Sequence, residues 1–133
     1  MIQVKEIMTP GKIFFSRNAK LMDVVRTMVE HEIGSAVIVD DDRRVHGILT
    51  ERDLVWKVLA KEKPISKMKL LDVCTLGAIG VNENQGVLRA AELMKAHTIK
   101  KIVVVDDNER YVGMLTHTDI VKNLPDIIKN ENL

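Results

Sequence analysis

Two kinds of apolar pattern follow one another along the chain, and they do so twice. Leu21, Val24, Val25, Met28 and Val29 recur at i, i+3, i+4, i+7 and i+8, which predicts one face of an α-helix, with Asn18 as its expected N-cap. A short unbroken apolar run at 36–39 follows, the pattern of a strand buried on both faces, as in parallel pairing. The polar stretch 40–44 is too short for anything but a hairpin connection, and residues 46–50 read as the returning strand. Gly47 in that strand marks a place where a side chain would crowd a neighbour or a ligand. A closing helix is expected from Glu51, with Leu54, Val55, Val58 and Leu59 as its apolar stripe. Before the first helix lies an extended piece at 12–16, so strand, helix and buried strand predict a right-handed βαβ crossover.

The second half repeats these elements. Residues 33–55 align without a gap on residues 99–121 at an offset of 66, with 11 of 23 positions identical. The matches include Asp40/Asp106, Asp41/Asp107, Gly47/Gly113, Leu49/Leu115, Thr50/Thr116 and Asp53/Asp119, and upstream Thr9/Thr75, Met28/Met94 and His31/His97. An extended piece at 78–82, a helix capped by Asn84 with Val87, Leu88, Ala91 and Met94 on its apolar face, strands at 102–105 and 111–116, and a closing helix from His117 are therefore expected. The chain is a duplication, divided on this reading into repeat 1 at 1–62, a charged linker holding Pro64 at 63–69, repeat 2 at 70–125 and a polar tail at 126–133.

Composition narrows the function. In a chain of 133 residues, half the length buries too little surface to be comfortable alone, so the two repeats are expected to share a core. Apolar residues are 46% and aromatics 3%, which makes that core aliphatic. With 20 basic and 19 acidic residues the net charge is +1, which argues against nucleic acid as the main partner. A single cysteine, Cys74, excludes an internal disulfide and a cysteine zinc cluster. With neither a signal peptide nor a membrane-length apolar run, a cytoplasmic protein is expected.

The chain resembles the CBS domain family, named after cystathionine beta-synthase. The resemblance rests on Val4-x-Glu6-Ile7-Met8-Thr9, on the buried strand leading to two aspartates, and on Gly-x-x-Thr-x-x-Asp at 47–53 and 113–119, and it covers almost the whole chain. It implies an α/β (α+β) fold of two β-α-β-β-α repeats packed pseudo-symmetrically through their sheets, a CBS pair or Bateman module. It also implies clefts between the repeats that bind AMP, ATP, related adenosine compounds or NAD in some members, and dimers formed through exposed helices.

Thr50-Glu51-Arg52-Asp53 and Thr116-His117-Thr118-Asp119 admit two readings. As a hydroxyl at a helix start with an acid three residues on, each approximates a capping box, which needs no ligand. Alternatively, the carboxylates of Asp53 and Asp119 accept hydrogen bonds from the vicinal hydroxyls of a ribose, with Thr50 and Thr116 near the sugar or first phosphate. Asp in place of the Glu or Gln usual in a capping box favours the ligand. By resemblance, the adenine beside Asp119 is walled by Ile13, Gly34, Ser35 and Ala36, and the adenine beside Asp53 by Ala78, Ile79, Lys100, Lys101 and Ile102. Lys100 and Lys101, with Arg52, would neutralise extra phosphates beside Asp53, or else Lys100 and Lys101 are a solvated strand end; His117 is a further phosphate candidate. The Asp53 cleft is thus expected to take the more highly charged nucleotide.

Other features are expected to be structural. The four histidines lack metal-ligand spacing, no metal is expected, and Asp40-Asp41-Asp42 reads as a solvated hairpin turn. Trp56 either caps the core edge or anchors a dimer contact. No nucleophile with a base is recognisable, so no enzyme and no catalytic cofactor are expected. The expected function is a stand-alone regulatory module that binds an adenine nucleotide (AMP, ADP or ATP), forms a homodimer, relays its state to a protein partner and does not engage a membrane. The alternative is a ligand-free homodimeric scaffold in which both motifs are helix caps.

Overall fold

The computed structural model describes residues 1–131. The elements in chain order are α1 (Val4–Ile7), β1 (Thr9–Pro10), β2 (Phe15–Ser16), α2 (Leu21–Glu30), β3 (Ser35–Val39), β4 (Val45–Thr50) and α3 (Glu51–Asp53). A π turn at Leu54–Val58 and 3-10 turns at Leu59–Lys61 and Ile65–Lys67 lead to α4 (Leu70–Val73) and β5 (Thr75–Leu76). Then come β6 (Gly80–Asn82), α5 (Val87–His97), β7 (Lys101–Val105), β8 (Tyr111–Thr116), α6 (His117–Lys122) and α7 (Leu124–Asn130).

These elements form two compact units, and the units do not follow the repeat boundaries. One comprises residues 13–78; the other comprises residues 1–12 together with 79–131 of the described chain. Each contains a four-stranded sheet, so the fold is mixed α/β.

In the unit of residues 13–78 the strand order is β2-β3-β4-β5, with β2 parallel to β3 and the other pairs antiparallel. The parallel pair is joined through α2, as the apolar run at 36–39 predicts. Leu21, Val24 and Met28 of α2 pack with Ala36, Ile38, Leu49, Val58, Leu70, Val73 and Cys74 into one aliphatic core. Val29, counted in the predicted stripe, is exposed instead. The edge strand β5 explains Gly47: a Cβ there would stand 2.8 Å from the Thr75 carbonyl oxygen.

The other unit repeats the plan with strand order β1-β8-β7-β6, β6 lying parallel to β7. Here the edge strand comes from the start of the chain, Thr9 pairing with Met114 and Pro10 with Gly113. A Cβ on Gly113 would lie 2.7 Å from the Thr9 carbonyl oxygen, so the two glycines have one cause. The core is Val4, Val81, Ala90, Met94, Ile102, Val104 and Leu115. Ala90 occupies the place expected of Leu88, which is exposed.

Both hairpins are closed by an aspartate. Asp40 Oδ1 accepts from the amides of Asp42 and Arg44 at 2.9 Å each, and Asp106 Oδ1 from those of Asn108 (2.8 Å) and Arg110 (3.0 Å). The acidic run is thus a turn, as expected.

Three local expectations are corrected. Asn18 and Asn84 do not cap: α2 and α5 start three residues later, behind Lys20 and Gly86, neither of which makes a side-chain cap bond. Both asparagines belong to preceding turns, their amides donating to Ser16 Oγ and Asn82 Oδ1, and the Asn84 side chain accepts from Lys5 Nζ. The first closing helix is not regular, since the Leu59 amide reaches back to Leu54 O and gives a π turn. The stretch expected as a polar tail is largely α7, because Ile127 buries its side chain and Pro125 sits in the first turn, where its missing N–H costs nothing. Residues 132–133 of that tail lie outside the described residues.

Candidate functional site

Both Thr-x-x-Asp motifs stand where the last strand of a hairpin turns into a helix. Backbone pairing sets them up: Ser35 is opposite Thr50, and the Glu51 amide donates to Gly34 O at 3.2 Å. In the other unit Lys101 is opposite Thr116, and the His117 amide donates to Lys100 O at 2.9 Å. The strand end is thereby fixed before the helix begins.

Each motif is a complete capping box. The Asp53 amide donates to Thr50 Oγ1 (3.2 Å) while the Thr50 amide donates to Asp53 Oδ2 (3.0 Å). The same bonds at Asp119 measure 3.1 Å to Thr116 Oγ1 and 2.9 Å from the Thr116 amide. Aspartate therefore closes the box as glutamate would, and its use in place of Glu carries no weight for a ligand.

Beyond the cap the two carboxylates differ. Asp53 is only 5% exposed. Its Oδ1 lies 2.9 Å from Lys57 Nζ and 3.2 Å from Thr75 Oγ1, and its Oδ2 also accepts from the Thr50 hydroxyl at 3.1 Å. Burial pushes this carboxyl up, but the Lys57 ammonium and the Thr50 donors outweigh burial and hold it below the usual aspartate value. Asp119 is half-buried, and its Oδ1 has no hydrogen-bond partner among the described residues. Lys57 and Thr75 are the residues that sequence reasoning missed. The i, i+4 spacing from Asp53 to Lys57 was available as a signal; Thr75 is brought in by β5.

The remaining candidates are distributed as follows. Arg52 turns onto the ring of Trp56, 4.2 Å from its centroid, and Trp56 is 62% exposed rather than sealing the core. The His117 ring nitrogen Nδ1 is 3.2 Å from Lys100 O, so this histidine steadies the strand end. Lys100 is exposed and Lys101 half-buried. The side chains of Ala36 and Ile102 lie in the cores of their own units. Gly34, Ser35, Thr50, Arg52, Asp53, Ile13 and Ala78 belong to the unit of residues 13–78; Ile79, Lys100, Lys101, Thr116, His117 and Asp119 belong to the other. A groove of about 850 Å³ along residues 17–23 and 65–71 shares no residue with either motif. Among the described residues, no three His, Cys, Asp or Glu side chains gather as a metal-ligand group, and no helix is long and apolar enough to cross a membrane.

Two hairpin-to-helix junctions, each with a Thr-x-x-Asp cap and each on its own four-stranded sheet, define a duplicated α/β module. The CBS domain family model matches residues 4–60 and again 71–126, and the chain belongs to that family. An uncharacterized protein of Methanopyrus kandleri is 33% identical over 127 residues, which is 96% of this chain but 65% of that protein. Hypoxic response protein 1 of Mycobacterium tuberculosis is 29% identical over 95% of this chain and 87% of its own length. A crystal structure of Hypoxic Response Protein I with two coordinated zinc ions gives a TM-score of 0.80 at 28% identity, covering 93% of this chain and 100% of that one. The CBS domain pair of protein MJ0100, in complex with 5′-methylthioadenosine and S-adenosyl-L-methionine, gives a TM-score of 0.83 at 28% identity, covering 95% of this chain and 98% of that one.

Proposed function

We propose that this chain is a regulatory CBS pair that binds an adenosine compound by its ribose and relays occupancy to a partner protein, without catalysing a reaction. The observation that carries the reading is the Asp119 carboxylate. Its Oδ2 is pinned by the Thr116 amide, and its Oδ1 is left without a donor among the described residues. An acceptor held rigidly and left unfilled suits a sugar hydroxyl, since little ordering remains to be done on binding. In this reading Asp119 and Asp53 take ribose hydroxyls, Thr116 and Thr50 lie by the sugar or first phosphate, and Lys100, Lys101 and His117 serve outer phosphates. The complex of the MJ0100 pair widens the ligand class from AMP, ADP and ATP to adenosine compounds without phosphate. The module works in the cytoplasm as a homodimer, and the exposed Val55, Trp56 and Leu59 of one unit and Val121 of the other supply apolar contacts for it.

Thermal denaturation tests the reading with AMP, ADP, ATP, NAD, S-adenosylmethionine and 5′-methylthioadenosine. A compound present at about 100 times its dissociation constant adds about 2.7 kcal/mol of stability and raises Tm by several degrees. Asp119→Ala abolishes that rise at one site while losing about 1 kcal/mol of cap. No shift with any of the six refutes the reading.

The second reading, a ligand-free scaffold, is favoured by the completeness of both capping boxes, which gives each Thr and Asp a role without any ligand. It predicts a homodimer in size-exclusion chromatography whose Tm is indifferent to all six compounds.

A further inference from the structure

We infer that Lys57 is a built-in counter-ion occupying the sugar-binding position of Asp53, a latch that makes the two Thr-x-x-Asp motifs unequal. The inference rests on the ribose reading above and adds the residue that regulates one of its two sites. Lys57 Nζ lies 2.9 Å from Asp53 Oδ1 and also donates to Val73 O at 3.1 Å. Thr75 Oγ1 lies 3.2 and 3.4 Å from the two carboxylate oxygens, and Oδ2 further accepts from the Thr50 amide and hydroxyl. Both oxygens are filled from within the unit, so a vicinal diol finds no vacant acceptor. Lys57 follows Asp53 at i, i+4, within the π turn at Leu54–Val58 in which the Leu59 amide is bonded to Leu54 O.

In the other copy only the Thr116 amide, on Oδ2, is retained. At the repeat offset, Lys57 corresponds to Asn123, whose Nδ2 donates at 2.7 Å to the backbone oxygen of Asp119 and not to its carboxylate. Thr75 corresponds to Thr9, which makes no hydrogen bond with Asp119 among the described residues.

A ligand entering at Asp53 must therefore displace an ammonium that also gives up the Val73 carbonyl. A phosphate arriving with the sugar offers that ammonium a new partner, whereas an uncharged adenosine compound offers none. The Asp53 site is thus selective for phosphorylated adenosine, and the Asp119 site accepts either kind.

Calorimetry with AMP and 5′-methylthioadenosine tests this in an Asp119→Ala background, which isolates the Asp53 site. Lys57→Asn, which installs the residue of the other copy, is expected to tighten 5′-methylthioadenosine about tenfold and AMP by less. Lys57→Gln serves if the asparagine variant melts below the assay temperature. In an Asp53→Ala background, Asn123→Lys is expected to weaken 5′-methylthioadenosine about tenfold. Binding that depends on Asp53 but is not tightened by either Lys57 substitution overturns the latch and leaves the ribose reading standing. Binding that survives Asp53→Ala and Asp119→Ala together, or binding to no variant, overturns the ribose reading and the latch with it.

Discussion

Replacing Lys57 by Met strands a carboxylate that is nearly sealed from water. Two unit charges 4 Å apart attract by about 4 kcal/mol at an effective dielectric of about 20 and by about 1 kcal/mol in water. The Asp53 side chain is 7% exposed and that of Lys57 42%, so the pair lies between these limits. Screening and the ordering of a long side chain reduce the net effect further. Asp53 also keeps the Thr50 and Thr75 donors, so the full penalty of an orphaned buried charge does not apply. The expected cost is about 1–2 kcal/mol, a fall in Tm of roughly 4–8 °C for a chain of this length. The assay is urea and thermal unfolding of Lys57→Met, Asp53→Asn and the double variant, with an expected coupling of about 1 kcal/mol. The linkage sign follows from the lowered carboxyl. Between the folded and unfolded values the unfolded chain binds more protons, so the Asp53 contribution is fully present above about pH 3.9. It is lost as pH falls through the depressed folded value, and Asp53→Asn should remove that part of the acid sensitivity. Additive single effects, within about 0.3 kcal/mol, would show that the pair contributes nothing.

Three further outcomes are expected. Gly47→Ala and Gly113→Ala each press a methyl group onto an edge-strand carbonyl and should cost about 1–3 kcal/mol in urea titrations. Ile127→Ala opens a void under α7 and should cost about 2–4 kcal/mol, where the same change in a frayed tail would register nothing. Cys74 is buried and its thiol is pushed up, first by burial and then by the Asp53 charge, so labelling by a thiol reagent should proceed only at the rate of unfolding. For that thiol the raised folded value means stability present below about pH 8.5 and lost as pH rises through it, a loss that Cys74→Ala should relieve.

The strands and crossover helices were legible in the sequence because each is announced by its own residues. The apolar runs ending at Val39 and Val105 and the stripe from Leu21 to Met28 carry their period locally. The Thr-x-x-Asp caps were legible for the same reason. Helix starts are not legible at Asn18 and Asn84 because asparagine forms turns as readily as caps, and Ser16 and Asn82 beside them decide for the turn. The edge strands β1 and β5 have two residues each, too few to show alternation, and their pairing is decided by partners far along the chain. Lys57 had the right spacing to reach Asp53, but whether a lysine folds back or stays in water depends on the Val73 carbonyl that α4 presents. Nothing in the local pattern encodes that.

The exchange of short flanking strands has a consequence for dissection. A fragment ending at residue 62 carries an N-terminal arm whose partner is missing and lacks the strand that shields its own hairpin edge. Neither duplicate is therefore a self-sufficient piece, and an exposed edge of that kind invites foreign strands. Residues 13–78 hold all four strands of their sheet, whereas the sheet of β6, β7 and β8 is complete only with residues 1–12. A peptide of residues 1–12 should therefore bind a fragment starting at residue 79 through the pairing of Thr9 and Pro10 with β8, while fragments divided at the repeat boundary should precipitate.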